Sequence, residues 1–208
     1  MDTDSLSASP VALFICLLTI ATSLYTLYVN HDLFRMFLLH PYSLVRQKRY
    51  YTALSHGLIH GDMAHLIFNM LSFYFFAFPL EPRIGHWQFL LLYVVSLALS
   101  DATTIIKRRN DPSYTCLGAS GAVTAVIFSY IIYDPGCRIY FMFIPIGVPG
   151  PLYAVLYIAL SYYAARNQQG HINHEAHLWG GISGLLITLA LDPGAYGRFF
   201  DIVREMIR

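Results

Sequence analysis

Apolar residues along this chain come in long blocks, not in the alternation of a half-buried strand or the one-sided stripe of a surface helix. A helix crosses the hydrocarbon core of a bilayer with ~20 mostly apolar residues, and ~17 is the short end of the range. Six blocks reach or approach that length. They are Val11 to Val29, with no charge; His65 to Leu80, closed by Pro79 and Pro82; and about Trp87 to Ile106, with one late acid, Asp101. Then follow Cys116 to Tyr133, stopped by Asp134-Pro135-Gly136; Leu152 to Ala165; and Ala176 to Leu191, stopped by Asp192-Pro193-Gly194. Pro145, Pro149 and Pro151 make the stretch around Ile139 to Val148 a broken connector. Some blocks are short enough for a soluble bundle, but soluble helices carry a polar face, which these mostly lack. The pattern predicts an all-α, polytopic membrane protein with six transmembrane helices, a single domain over residues 1–208, and both termini on the same side.

The intervening segments fit that reading. Residues 1–10 form a polar N-terminal segment with no basic residue before the first block, so no cleaved signal peptide is expected and the first block is expected to stay as a helix. Asn30 to Ala64 is too long for a turn and mixes Phe34, Met36, Phe37, Leu38 and Leu39 with Arg35, Arg46, Lys48 and Arg49, which suits a loop in the headgroup region. Residues 194–208 place Phe199, Phe200, Ile202, Val203, Met206 and Ile207 among charges, the composition of an interfacial helix. The chain shows no repeat and no low-complexity tract.

Composition sharpens the choice of solvent. Of 208 residues 56% are apolar and only 12% charged, half of the ~25% charged residues usual in soluble domains. A net charge of +1 gives no electrostatic case for nucleic acid. Cys16, Cys116 and Cys137 are scattered and odd in number, with no C-x-x-C pair, and read as small buried apolar residues.

In lipid, polar and ionisable side chains are costly and mark function, and three groups of them remain. Gly118-Ala119-Ser120-Gly121 opens the fourth block. Taken alone it reads first as close packing, since Gly118 with Ala122 and Gly121 with Ala125 have small-xxx-small spacing. The functional reading is a nucleophile at a helix start, with glycines leaving room for a substrate backbone. Ala176-His177-Leu178-Trp179-Gly180 opens the sixth block, where Ala176, Gly180 and Gly184 recur every four residues and let another backbone approach. A lone buried histidine is usually structural; a Ser–His pair in hydrogen-bond reach would activate the hydroxyl. His65-Leu-Ile-Phe-Asn69 places two donors on one helical face at i, i+4, with Asp62 as a cap. These donors suit either an interhelical hydrogen bond or a developing oxyanion.

Taken together these groups resemble the rhomboid intramembrane serine proteases. The resemblance rests on His60-Gly-Asp-Met-Ala-His65-Leu-Ile-Phe-Asn69-Met70, Leu80-Glu81 and Gly85; on Gly118-Ala119-Ser120-Gly121; and on Ala176-His177, Gly180 and Gly184. Order, spacing and helix count agree over roughly residues 45 to 190. The resemblance implies a rhomboid-like fold and a Ser120–His177 catalytic dyad without an essential acid. It further implies an oxyanion site of His65, Asn69 and the Ser120 backbone amide, with no metal or cofactor. Gly118, Gly121, Gly180 and Gly184 are the motif glycines. Expected partners are single-span or other transmembrane protein substrates and the lipid bilayer, with no nucleic acid, in a multi-pass protein of a cell or plasma membrane. Two positions depart from the family. It often has an aromatic residue four positions after the serine to support the imidazole, where this chain has Thr124, so His177 takes support from Trp179 or from a tyrosine elsewhere. The Trp-Arg pair often found in the first loop has Lys48-Arg49 as its nearest counterpart.

Other readings fit less well. His171, His174 and His177 crowd one stretch and His56, His60 and His65 another, but His174-Glu-Ala-His177 is one residue short of the H-E-x-x-H zinc motif. A catalytically inactive rhomboid-like binder of membrane proteins would usually lack the serine or the histidine, and a transporter should show an inverted repeat. Orientation draws on conflicting cues. The family places the termini in the cytoplasm, whereas Arg35, Arg46, Lys48, Arg49, Lys107, Arg108, Arg109 and Arg166 on the opposite side outnumber Arg83, Arg138, Arg198, Arg204 and Arg208. Long loops weaken the charge rule, and the family topology is followed here.

Overall fold

The computed structural model describes residues 7–140, 146–167 and 173–208. Helix α1 spans Pro10–Tyr28. The first connection is not an open loop but a string of short helices: α2 (His31–Phe37), α3 (Pro41–Arg46), α4 (Thr52–Ser55) and a 3-10 turn at His56–Leu58. Helix α5 (Met63–Ile84) is followed by α6 (His86–Ser100) and the short α7 (Ala102–Arg108). Helix α8 spans Ser120–Tyr133. The connector pairs β1 (Arg138–Tyr140) with β2 (Gly147–Pro149) as an antiparallel hairpin, with Ile139 opposite Val148. Its middle, including Pro145, lies outside the described residues. Then come α9 (Gly150–Asn167), α10 (His174–Leu191) and α11 (Pro193–Ile207).

Three helical stretches, Pro10–Tyr28, Met63–Ile84 and His86–Arg108, are each long and apolar enough to cross a membrane, and α10 with α11, bent by 111°, makes a fourth if counted as one span. The outer faces carry large apolar side chains. Phe14 on α1, Phe75 on α5, Leu160 on α9 and Leu186 on α10 are at least 60% exposed, while Thr19 and Ser23 of α1 are fully buried. Apolar outside and small polar groups inside is the arrangement of a protein whose outer solvent is lipid. Helix α8 is the centre: nearly all its residues from Gly121 to Ile132 are buried, so it has no polar face to show.

Helix α5 runs past both prolines that the sequence suggested would close it. Proline lacks an N–H, so Pro82 leaves the carbonyl of Phe78, four residues back, without its helical donor. The Ser9 hydroxyl donates to that oxygen at 2.7 Å. The buried Glu81 carboxylate in turn accepts from the first amides of α1, Val11 at 3.1 Å and Ala12 at 2.6 Å. A negative group at a helix N-terminus meets both the unpaired N–H groups and the macrodipole. One polar exchange thus continues α5 and fixes the start of α1.

Candidate active site

The starts of α5, α8 and α10 meet at one end of the bundle, and each has a local cause. Asp62 caps α5, its Oδ1 accepting from the His65 amide at 2.8 Å. Asn173 caps α10, its Oδ1 accepting from the Ala176 amide at 3.1 Å. Ahead of α8, Cys116 and Leu39 exchange backbone hydrogen bonds of 3.0 Å, and the Gly118 amide donates to the His56 carbonyl at 2.9 Å. Gly118 has φ +106°, a conformation natural to glycine, and this turn delivers Ser120 as the first residue of α8. Ala119 at the N-cap brings no side-chain cap, so the first-turn amides of α8 keep their unpaired donors.

The structure brings Ser120 and His177 together: Oγ of one lies 2.8 Å from Nε2 of the other. A hydroxyl donating to an unprotonated ring nitrogen is the geometry that lets an imidazole take its proton. The helices approach closely because of the motif glycines. A Cβ on Gly184 would meet the Ala125 carbonyl oxygen at 2.4 Å, and one on Gly121 would meet Ser100 Oγ at 2.3 Å. His65 lies against Gly118, where a Cβ would come within 2.8 Å of its Cε1. Asn69 sits one turn further along α5 and donates one of its amide hydrogens to the His65 carbonyl at 3.1 Å, leaving the other N–H for a further acceptor. The pair opens onto a cavity of about 1540 Å³ lined by His65, Ser120, His177, Trp179, Lys107 and Glu175 among others.

Behind the pair runs a buried polar network that the sequence reading did not assemble. Asp101 Oδ2 lies 2.9 Å from His56 Nε2, and its Oδ1 accepts from Asn173 Nδ2 at 3.1 Å. Asn173 also exchanges hydrogen bonds with the Thr104 hydroxyl, and His56 Nδ1 lies 2.8 Å from the Thr52 carbonyl. The cap of α10, and with it the position of His177, is tied through Asp101 to the first connection. A lone acid in an apolar block was the available signal. Lys107 and Glu175 add an ion pair at the rim. His60, in the connection before α5, is buried, with Nδ1 3.0 Å from Ser23 Oγ and its ring edge-on to His65. Burial, with a smaller contribution from His65, lowers its pKa from 6.5 to about 3, against the opposing pull of Asp62.

Other candidates separate. Among the described residues no three His, Cys, Asp or Glu side chains gather to hold a metal ion, and His171 lies outside them. Cys116 is a free thiol 3.8 Å from Asp101 Oδ1, and burial pushes its pKa upward. Trp179 lines the cavity, while the aromatic ring stacked on His177 is Tyr157 of α9.

Long apolar helices with a lipid-type exterior define a helical integral membrane protein, and within it a serine and a histidine from two helices meet beside a cavity. The Rhomboid domain model matches residues 47–193, and this chain belongs to the rhomboid family. It is 29% identical over 133 residues to the putative rhomboid protease YdcA of Bacillus subtilis, covering 63% of this chain and 62% of that protein. It is 31% identical over 164 residues to RHOMBOID-like protein 12, mitochondrial, of Arabidopsis thaliana, covering 71% and 48%. It is 24% identical over 182 residues to the rhomboid protease GlpG of Yersinia pseudotuberculosis, covering 87% and 62%. The chain thus spans between 48% and 62% of the length of these relatives.

Proposed function

We propose that this chain is an intramembrane serine endopeptidase that cuts membrane-spanning segments of other proteins with a Ser120–His177 dyad. The observation that carries the reading is the 2.8 Å contact between Ser120 Oγ and His177 Nε2 at the mouth of a cavity. In the proposed reaction Ser120 Oγ attacks the scissile carbonyl carbon while its proton passes to His177 Nε2. The imidazolium then gives that proton to the leaving amine as the C–N bond breaks. Water, deprotonated by the same nitrogen, releases the acyl group from Ser120. The oxyanion is held by the uncapped Ser120 amide and by the His65 and Asn69 side chains, donors that act where charge develops.

In this reading α1, α5, α6 with α7, α8, α9 and α10 are six spans of a single transmembrane domain. Helix α11, turned through 111° from α10, lies along the interface, with Phe200, Ile202 and Met206 exposed among Arg198, Arg204 and Arg208. The test is cleavage of a single-span substrate in liposomes, with labelling by a fluorophosphonate. Ser120→Ala and His177→Ala should abolish cutting, and label should attach at Ser120 only while His177 is present. Chelators should leave the rate unchanged. Loss of activity in chelator, restored by zinc, would remove the serine mechanism.

A further inference from the structure

A dyad needs its imidazole held in one orientation, and the position four residues after the serine holds the small Thr124. Ser120, Thr124 and Phe128 follow one another at successive turns of α8, on one face. The space above Thr124 is filled from another helix. The Tyr157 ring of α9 lies 6.3 Å from the His177 ring, centroid to centroid, with the planes 29° apart, within the range of offset aromatic stacking. Its hydroxyl is 3.2 Å from Thr124 Oγ1. Because the Thr124 hydroxyl already donates to the Ser120 carbonyl at 2.8 Å, the tyrosine is the donor in that contact. Phe128 meets the Tyr157 ring edge-on at 5.8 Å, and Tyr153 packs one turn away at 5.5 Å. The ring is therefore fixed by neighbours on two helices before it touches the histidine.

We infer that Tyr157 is the positioning residue for His177. Its ring backs the imidazole, and its hydroxyl hooks onto Thr124, so the orientation of the base is set from α9 and not from the serine's own helix. Along α9 only Gly150 and Ser161 are buried. Alignment of His177 therefore depends on how this lightly packed helix sits against α8. The inference rests on the serine–histidine reading above.

The experiment measures kcat and KM for a single-span substrate, the rate of fluorophosphonate labelling at Ser120, and thermal unfolding. The variants are Tyr157→Leu, which keeps apolar bulk, Tyr157→Phe, which keeps the ring, and Tyr157→Leu combined with Thr124→Tyr. Tyr157→Leu should lower kcat and the labelling rate about tenfold, the scale of one aromatic contact, with KM within about twofold. Tyr157→Phe should recover most of the loss, and Thr124→Tyr should restore activity to the Leu variant by supplying a ring from α8. Wild-type kcat in Tyr157→Leu, or a Phe variant as slow as Leu, overturns the inference. So does a loss that Thr124→Tyr leaves unrescued while unfolding temperatures match. Wild-type protein that neither cuts nor labels overturns the serine–histidine reading instead.

Discussion

Gly180 and Gly121 meet backbone to backbone: a Cβ on Gly180 would stand 2.3 Å from the Gly121 carbonyl oxygen. That oxygen belongs to α8 one residue beyond Ser120, and Gly180 lies one turn beyond His177 on α10. The contact that packs the helices therefore also sets how far Ser120 stands from His177, whose side chains meet at 2.8 Å.

Gly180→Ala should force α10 away from α8. Overpacking of this kind costs about 1–3 kcal/mol, and the larger effect should be on cleavage, since the Ser120–His177 contact lies one turn away. Gly197→Ala is the control, because nothing lies within 4 Å of a Cβ there. Thermal unfolding and cleavage rates of both variants check this; a Gly180→Ala protein with wild-type activity would show that the contact does not govern the dyad.

Asn69→Ala should lower kcat more than it raises KM. One oxyanion donor is worth about 2.7–4 kcal/mol in the transition state, whereas an interhelical hydrogen bond averages only about 0.6 kcal/mol of membrane-protein stability. The variant should therefore stay folded and react slowly. A destabilised variant with normal kcat would return Asn69, bonded here to the His65 carbonyl, to a purely structural role.

Acid should loosen the first connection through His60. Its pKa is depressed on folding from 6.5 to about 3, so between these values the unfolded chain binds the proton more readily. The stabilisation is complete above 6.5 and is lost as pH falls through that value toward 3. At pH 5 the loss is on the order of 2 kcal/mol at most. Unfolding temperatures at pH 7 and pH 5 should differ, and His60→Gln, which stays neutral, should shrink the difference. An identical pH dependence in that variant would assign the effect to other groups.

Substrate choice should follow helix weakness. Unwinding a spanning helix exposes N–H and C=O groups at a cost of several kcal/mol each in lipid. Cutting should therefore favour segments with Gly, Pro or β-branched residues near the membrane face where α8 begins, with small residues at the cut. Single-span substrates with a helix-breaking residue moved stepwise along the span provide the measurement. Equal cutting of a poly-Leu span and its Gly-containing version would contradict this account.

What the sequence determined by itself is whatever depends on near neighbours. Apolar blocks, the Asp62 and Asp192 helix boundaries, the i, i+4 placement of His65 and Asn69 and the four-residue spacing of Gly180 and Gly184 follow from helical period and capping, which a few residues express. With the family resemblance, these also named Ser120 and His177. The tertiary structure decided what joins residues distant in the chain. Pro82 does not end α5 because Ser9, the N-cap of α1, takes the carbonyl it frees. Asp101 turned out to be the link between His56 and the cap of α10. The ring behind His177 comes from α9, one of many tyrosines in lipid-facing and buried positions alike, with nothing local to mark it. The reason is that a side chain's partner across a helix interface is fixed by how the helices cross and how far apart they stand, and neither quantity is a property of any short stretch of sequence.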